Sequence, residues 1–194
     1  NNGVTQQIGL ESYILVKASA TITNGQVVMF TGANGDNVQA APANTASAGF
    51  RAEYIIGVAT QDIANNAFGY ITSFGKVRGL NTLAYTVGDL LWLSTSTPGA
   101  LTATQPSAPN YQIQVATVTK VSGGDGQIQI IIRPEPKLED ISDVTITTPS
   151  NGQVLTWTTG NVWVNANISA ANITAAGSNT QIQFNDSGVL GANA

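Results

Sequence analysis

Hydrophobic and polar residues alternate with a period of two along most of the chain up to Arg133, and glycine-containing pairs such as Asn24-Gly25 interrupt the alternation. A period of two is typical of β-strands that pack one face, and these pairs are typical of tight turns. No helical period is present before residue 165. The pattern predicts eight strands, at Tyr13–Lys17, Val27–Phe30, Val38–Ala41, Tyr54–Gln61, Gly69–Val77, Leu90–Ser94, Tyr111–Val121 and Gln127–Arg133.

Two of these strands have patterns that predict their burial. The segment Leu90–Leu93 is continuously apolar, so we expect both of its faces to be buried, either between sheet layers or at a subunit interface. The segment Tyr111–Val121 alternates, which predicts one face made of Ile113, Val115, Thr117, Thr119 and Val121.

The predicted strands repeat along the chain. Gly25–Thr31 aligns with Gly88–Ser94 at an offset of 63 residues, and Tyr54–Thr60 aligns with Tyr111–Thr117 at an offset of 57. At the second offset Gly69 also meets Gly126. We interpret this pattern as two similar four-stranded units, roughly residues 20–78 and 83–133. The fold class predicted is mainly β: a compact β-barrel or sandwich built from two pseudo-repeated halves, whose closure would protect strand edges.

The sequence changes character after Pro134-Glu135-Pro136, where two prolines favour a stiff, extended exit. Residues 1–12 are predicted to be an N-terminal arm and 13–135 the β domain. Residues 136–165 are predicted to be a linker with a small β meander, with strands at Val144–Thr147, Val154–Trp157 and Val162–Val164. Residues 166–194 are predicted to begin an extended trimeric shaft. So short a meander cannot build its own core, so Trp157 and Trp163 must pack on the main domain or on other copies of the chain.

Composition restricts the chemistry that the chain can perform. Only 9% of its 194 residues are charged, the net charge is −4, and there is no Cys or His. Thiolate and imidazole nucleophiles, bases and metal ligands are therefore excluded, and nucleic-acid binding through a basic patch is not expected. No apolar run is long enough to span a membrane.

A search for catalytic motifs favours structural roles for the polar residues. Carboxylates at Glu11, Glu53, Asp62 and Asp89 have no spacing that indicates a glycosidase pair. The segments Asn34–Asn37 and Ser122–Gly126 are interpreted as turns rather than as calcium or phosphate loops. Lys76 and Arg78 form the one local basic pair, interpreted as a solvated strand face. We expect no enzymatic activity and no cofactor.

Neutral polar side chains suit assembly around a symmetry axis, because amides and hydroxyls can pair where stacked like charges would repel. We therefore expect an obligate assembly with threefold symmetry. The large aromatic residues of the β domain could form a carbohydrate-binding surface, but such residues more often lie in the core, and we expect core positions for them. They are Tyr13, Phe30, Phe50, Tyr54, Phe68, Tyr70, Phe74, Tyr85, Trp92 and Tyr111. The candidate interface residues are Leu91, Trp92, Trp157, Trp163, Ile168, Ile173 and Phe184.

Several segments resemble proteins of tailed bacteriophages. The segments Gly25–Phe30, Ile56–Thr60, Gly69–Asn81 and Tyr85–Ser94 with Gly99–Thr104 resemble a domain of phage fibre and virion-decoration proteins. The segment Leu138–Trp157, followed by Trp163–Asn165, is similar to a linker motif of tail fibres, and Ser178–Gly188 is similar to the segment that begins their shaft. The resemblance implies a homotrimer with an axial shaft and carries no catalytic residues.

The leading hypothesis is thus a structural fibre protein of a phage virion, assembled in the host cytoplasm: a tail fibre that contributes to host attachment. The alternative is a capsid decoration or head-fibre protein. Expected partners are two further copies of the chain and other virion proteins, at the tail adaptor or portal region or on the capsid, and a host surface glycan is a further possibility. A polysaccharide depolymerase and a stand-alone lectin module are hypotheses from other functional classes.

Overall fold

The computed structural model describes residues 11–168 together with the backbone of 183–186 and 189–192. The chain divides into two compact units, Asn1–Glu135 and Pro136–Ala194, which we call the first and the second unit. The fold is mainly β, with 48% of residues in strands and 4% in helix. Short 3-10 helices at Ala52–Tyr54 and Leu138–Asp140 are the helical elements of the described residues.

Five strands of the first unit form a closed barrel. They are β1 (Ser12–Ala18), β2 (Val27–Asn34), β3 (Asn37–Pro42), β4 (Ile55–Ala59) and β5 (Phe68–Leu80). The order is β1-β3-β2-β4-β5, and the pairing of β5 with β1 closes the ring. Every barrel strand contributes to one buried cluster: Val16 and Ala18, Val28, Ala40, Ala59 and Ile71, together with Ile22 and Ile63. Because all five strands point these side chains at one another, this cluster fills the barrel.

The second part of the first unit extends the same sheet beyond the barrel. Its strands are β6 (Leu90–Leu93), β7 (Leu101–Thr102), β8 (Ile113–Lys120) and β9 (Gly126–Pro134). The 13-residue strand β5 pairs with β4 and β1 in its first half and with β9 in its second. A second buried cluster joins these strands to the barrel: it includes Val27 and Val58 as well as Leu91, Ile113, Ile128 and Ile130. Neighbouring Val27 and Val28 therefore point into different cores, so both faces of β2 are packed at its start.

The two parts of the sheet have the same strand order, β3-β2-β4-β5 in one and β7-β6-β8-β9 in the other. Equivalent turns precede β2 and β6. The Thr23 N–H donates to Gln26 Oε1 at 2.8 Å, and the Thr86 N–H donates to Asp89 Oδ2 at 2.7 Å. Gly25 and Gly88 occupy the same place in these turns with φ of 84° and 94°, a conformation that favours glycine.

The predicted face of β8 is wrong beyond Val115. Ile113 and Val115 are buried as expected, but Ala116 and Val118 are buried next, whereas Thr119 is exposed. The cause is a register irregularity between Gln114 and Ala116 against β9, since a bulge exchanges the two faces of a strand. The alignment of β8 with β4 also differs from the predicted one. Val58 pairs with Val27 and Thr117 with Leu90, so the structural offset between β4 and β8 is 59 rather than 57.

The second unit contains a three-stranded sheet formed by β10 (Val144–Thr145), β11 (Gln153–Trp157) and β12 (Trp163–Asn167). The order is β10-β12-β11, with β12 parallel to β10 and antiparallel to β11. A meander would place β11 in the centre of the sheet, so this strand order differs from the predicted one. The long link between β10 and β11 allows β10 to pair with the far edge of β12. Strands β13 (Gln183–Asp186) and β14 (Val189–Ala192) form an antiparallel pair.

Candidate functional site

The residues predicted to form an interface lie in two different environments. Leu91 and Trp92 are buried inside the first unit, with exposed fractions of 0% and 7%. Intrachain packing of the sheet therefore accounts for Leu91, Trp92 and Leu93, and as placed Leu91 and Trp92 are not available to another chain. Leu90 is 45% exposed, so the prediction that the whole run is buried is wrong at this residue. Ile168 is exposed. Ile173 lies outside the described residues, and only the backbone of Phe184 is described.

Trp157 and Trp163 form the central contact of the second unit. They are directly opposite on β11 and β12, and their rings meet edge to face with centroids 5.4 Å apart. Such a pair is favourable by about 0.5–1.5 kcal/mol beyond its area burial. The two indoles nevertheless remain 50% and 40% exposed. The two indoles pack against each other, and no core formed by residues 136–168 of the second unit lies beneath them.

The absence of a core extends through the described part of the second unit, because no residue from Pro136 to Ile168 is buried. Large apolar side chains remain exposed on its strands and turns, namely Leu138, Ile141, Val154, Leu155 and Ile168. Polar bonds fix the sheet locally: the Asn165 side-chain amide donates to the Thr147 carbonyl and to Gln153 Oε1, at 2.9 and 2.7 Å. Three strands need a packed hydrophobic face for independent stability, and these three have none.

The first unit displays an aromatic strip along β1 and β5. Leu15 lies directly opposite Tyr70, and Phe68 lies opposite Lys17, whose ammonium is 6.0 Å from the ring centroid. Residues opposite each other or two apart on a strand share a face. The strip consists of Tyr13, Leu15, Phe68, Tyr70 and Phe74, each between 49% and 53% exposed. For these aromatic residues the expectation of a core position is wrong, whereas it holds for Phe50 and Trp92.

One edge of the strip carries a network of charge. Arg78 Nη1 donates to Glu11 Oε1 at 2.6 Å, and the Tyr13 hydroxyl donates to the other carboxylate oxygen of Glu11. The hydrogen bond from Tyr13, followed by that from Arg78, lowers the pKa of Glu11. The same bond to Glu11 raises the pKa of Tyr13. Arg78 is thus tied to β1 rather than simply solvated.

A cleft opens elsewhere on the barrel, beside β2 and the Ala52–Tyr54 helix. It has a volume of about 320 Å³ and is lined by Met29, Phe30, Phe50 and Tyr54 and by the loop at residues 47–49. Phe30 and Tyr54 meet edge to face with centroids 6.1 Å apart and are 36% and 38% exposed. Arg51 and Glu53 form an exposed ion pair next to it, with Arg51 Nε 3.8 Å from Glu53 Oε2.

Among residues 11–168 the four carboxylates considered for catalysis are engaged in structural contacts. Glu11 binds Arg78, Glu53 pairs with Arg51, Asp62 accepts the Asn24 N–H and Asp89 accepts the Thr86 N–H. The segment Asn34–Asn37 closes the β2–β3 hairpin, as predicted. Within the described part of the chain no group of acidic side chains could hold a metal ion, and no helix has the length and apolar character to cross a bilayer.

Sequence reasoning missed the strip and the cleft, although one signal was present. In β1, Tyr13, Leu15 and Lys17 occupy one face while Val16 and Ala18 occupy the other. Lys17 is the signal that marks its face as the outer one. Tyr13 and Leu15 on that face are as apolar as Val16 on the other, so it is the closure of the barrel that turns the smaller residues inward. A comparison of the sequence with known protein families and with curated proteins finds no match.

Proposed function

We propose that this chain is a structural fibre protein of a bacteriophage virion, a homotrimer in which the first unit is the attachment or collar module and residues 136–194 lead into the shaft. One observation carries the proposal: residues 136–168 of the second unit contain an ordered three-stranded sheet, and not one of these residues is buried. Such a sheet needs a partner surface, and in a homotrimer each copy of the chain provides one to its neighbours.

Composition supports identical copies as that partner. The second unit exposes Trp157, Trp163 and Leu155 among Thr and Asn side chains, and neutral polar side chains can face their own copies around an axis without repulsion. The resemblance of Leu138–Trp157 to a linker motif of tail fibres points in the same direction. The first unit differs, because its two buried cores make it a self-sufficient module suited to attachment.

We further propose that the first unit arose from a repeated four-stranded motif. The common strand order of its two parts supports this, as do the equivalent turns at Gly25 and Gly88. In both turns the glycine N–H donates to a strand carbonyl, that of Ala59 in one and that of Val118 in the other, at 2.9 Å each.

The place of the chain in a virion is tested with antibodies raised against it and gold labelling of particles of the phage that encodes it. Gold at the tail supports the tail fibre, and gold distributed over the head supports the alternative of a decoration or head-fibre protein. Virions without label overturn both. A variant that ends at Glu135 separates the two further, since a decoration protein should still bind capsids through its first unit whereas a tail-fibre fragment should not.

A further inference from the structure

We infer that the first units of neighbouring copies bind each other as well, the aromatic strip of one copy seating on the Phe30–Tyr54 cleft of the next. This inference rests on the proposed homotrimer and assigns its contact surfaces. The strip is Tyr13, Leu15, Phe68, Tyr70 and Phe74, and the cleft is Met29, Phe30, Phe50 and Tyr54.

Threefold symmetry requires two different surfaces on each copy. A twofold contact uses one self-complementary patch, but a ring of three joins one patch to a different patch on the next copy. All six of the exposed aromatic residues in the described part of the first unit belong to the strip or to the cleft. One surface is a row of half-exposed apolar side chains and the other is a concavity, so the two can fit together.

The exposed area is of the right size for a specific contact. An aromatic side chain presents about 150–250 Å², so four half-exposed rings offer roughly 300–500 Å² before Leu15 is added. This is as large as the largest apolar patch on an ordinary monomer, about 300–600 Å². It is also more than a third of the roughly 800 Å² that each partner buries in a stable interface. The strip can therefore form the apolar centre of an interface that includes its polar margins.

Charge favours the strip-to-cleft contact over two strips facing each other. Lys17, Lys76 and Arg78 border the strip against the single acidic Glu11, so two strips would bring an excess of positive charge together. The margin of the cleft is neutral, and it exposes Glu53 beside Arg51. Like charges placed opposite each other disfavour the contact of strip with strip, and they have less effect on the strength of the contact of strip with cleft.

The chain contains no cysteine, so introduced thiols report proximity without background. The test places Tyr70→Cys and Tyr54→Cys in one chain and treats it with a short bis-maleimide. Each substitution is also made alone, and Leu83→Cys, 66% exposed and outside both surfaces, is the matched control. We expect the double variant to give linked dimers and trimers on a denaturing gel, while the three single variants stay single chains.

The remaining outcomes separate the inference from the proposed assembly. Light scattering of the parent chain measures the particle mass. A mass of three chains, with no linkage in this double variant or in the second one below, overturns the strip-to-cleft contact and leaves the trimer intact. Linkage of Tyr70→Cys alone overturns it in favour of strip against strip, and linkage of Tyr54→Cys alone in favour of cleft against cleft. A mass of about one chain, 20.0 kDa, overturns both the contact and the homotrimer.

To guard against loss of the contact through the tyrosine substitutions themselves, a second pair is made at Phe68→Cys and Phe30→Cys. These positions lie on the same two surfaces with different neighbours. Linkage in either double variant, absent from its single variants, supports the inference. Failure of both pairs in particles of three chains overturns it.

Discussion

The two units of this chain achieve order in opposite ways. The first unit packs two clusters of buried side chains, one inside the barrel and one between the barrel and β6 to β9. Residues 136–168 of the second unit have strands, hydrogen bonds and a pair of tryptophans, but none of these residues is buried. Hydrogen bonds alone contribute little net stability, so the first unit is held by its own core, whereas the sheet of the second unit has no core of its own; we propose that other copies of the chain cover it.

Removing a core side chain should produce the largest effect, and only in the first unit. Leu91 is fully buried, and we expect Leu91→Ala to lower the free energy of unfolding by about 2–5 kcal/mol. Urea unfolding followed by circular dichroism measures this loss. Exposed Leu83→Ala is the matched control and should stay within about 0.5 kcal/mol of the parent chain. Equal losses at both positions would contradict the assignment of Leu91 to a core.

Removing an indole should act on assembly instead. We expect Trp157→Ala to cost about 2 kcal/mol of association per contact, which is roughly a thirtyfold rise in the dissociation constant. Sedimentation over a dilution series measures it, while the unfolding of the first unit stays unchanged. Trp92→Phe is the matched control, because Trp92 is buried in the first unit. An unchanged dissociation constant in Trp157→Ala would show that the indoles are not covered by other copies.

A turn substitution gives a smaller effect that should remain inside the first unit. Asp89 accepts the Thr86 N–H at 2.7 Å, and we expect Asp89→Ala to lower the free energy of unfolding by about 0.5–1.5 kcal/mol. Asp89→Asn retains an acceptor oxygen and should recover most of the loss. Chemical denaturation of the three chains provides the comparison, and an equal loss in both variants would assign the effect to charge rather than to the turn.

The smallest effect should be the pH dependence at Glu11. Its pKa is lowered in the folded chain from the usual 4.5, so its contribution to stability is complete above that value and is lost as pH falls through the lowered pKa. We expect Glu11→Gln to cost about 0.2–1 kcal/mol at neutral pH, as for exposed ion pairs, and to match the parent chain in strong acid. Melting temperatures from pH 2 to pH 7 measure the difference. A gap that persists at the lowest pH would contradict the role of the carboxylate charge.

Local structure was the part of the fold that could be predicted from sequence. Alternation and glycine turns located eight of the nine described strands of the first unit, whereas the two-residue strand β7 was not predicted. The predicted offset of 57 holds between β5 and β9, where Ile71 and Ile128 occupy equivalent positions in the strand pairings. The bulge beside Ala116 could not be foreseen, because a single extra residue leaves the hydrophobic pattern nearly unchanged while it exchanges the faces.

Closure of the barrel was expected, but the strands that close it could not be identified from sequence. β1 pairs with both β3 and β5, which lie far along the chain, and contacts at long separation leave no periodic signal. For the same reason Tyr13 and Tyr70 could not be assigned to the outside. For Trp157 and Trp163 the sequence predicted packing on the main domain or on other copies of the chain; in the structure the two rings contact each other and remain 50% and 40% exposed.

Amide hydrogen exchange tests the dependence of the second unit on other copies most directly. Exchange of β11 and β12 is measured by mass spectrometry on the intact chain over a series of dilutions, with β8 and β9 as the internal reference. We expect protection of Gln153–Trp157 and Trp163–Asn167 to fall on dilution while Ile113–Lys120 and Gly126–Pro134 stay protected. Protection of β11 and β12 that persists in particles of a single chain would contradict the account.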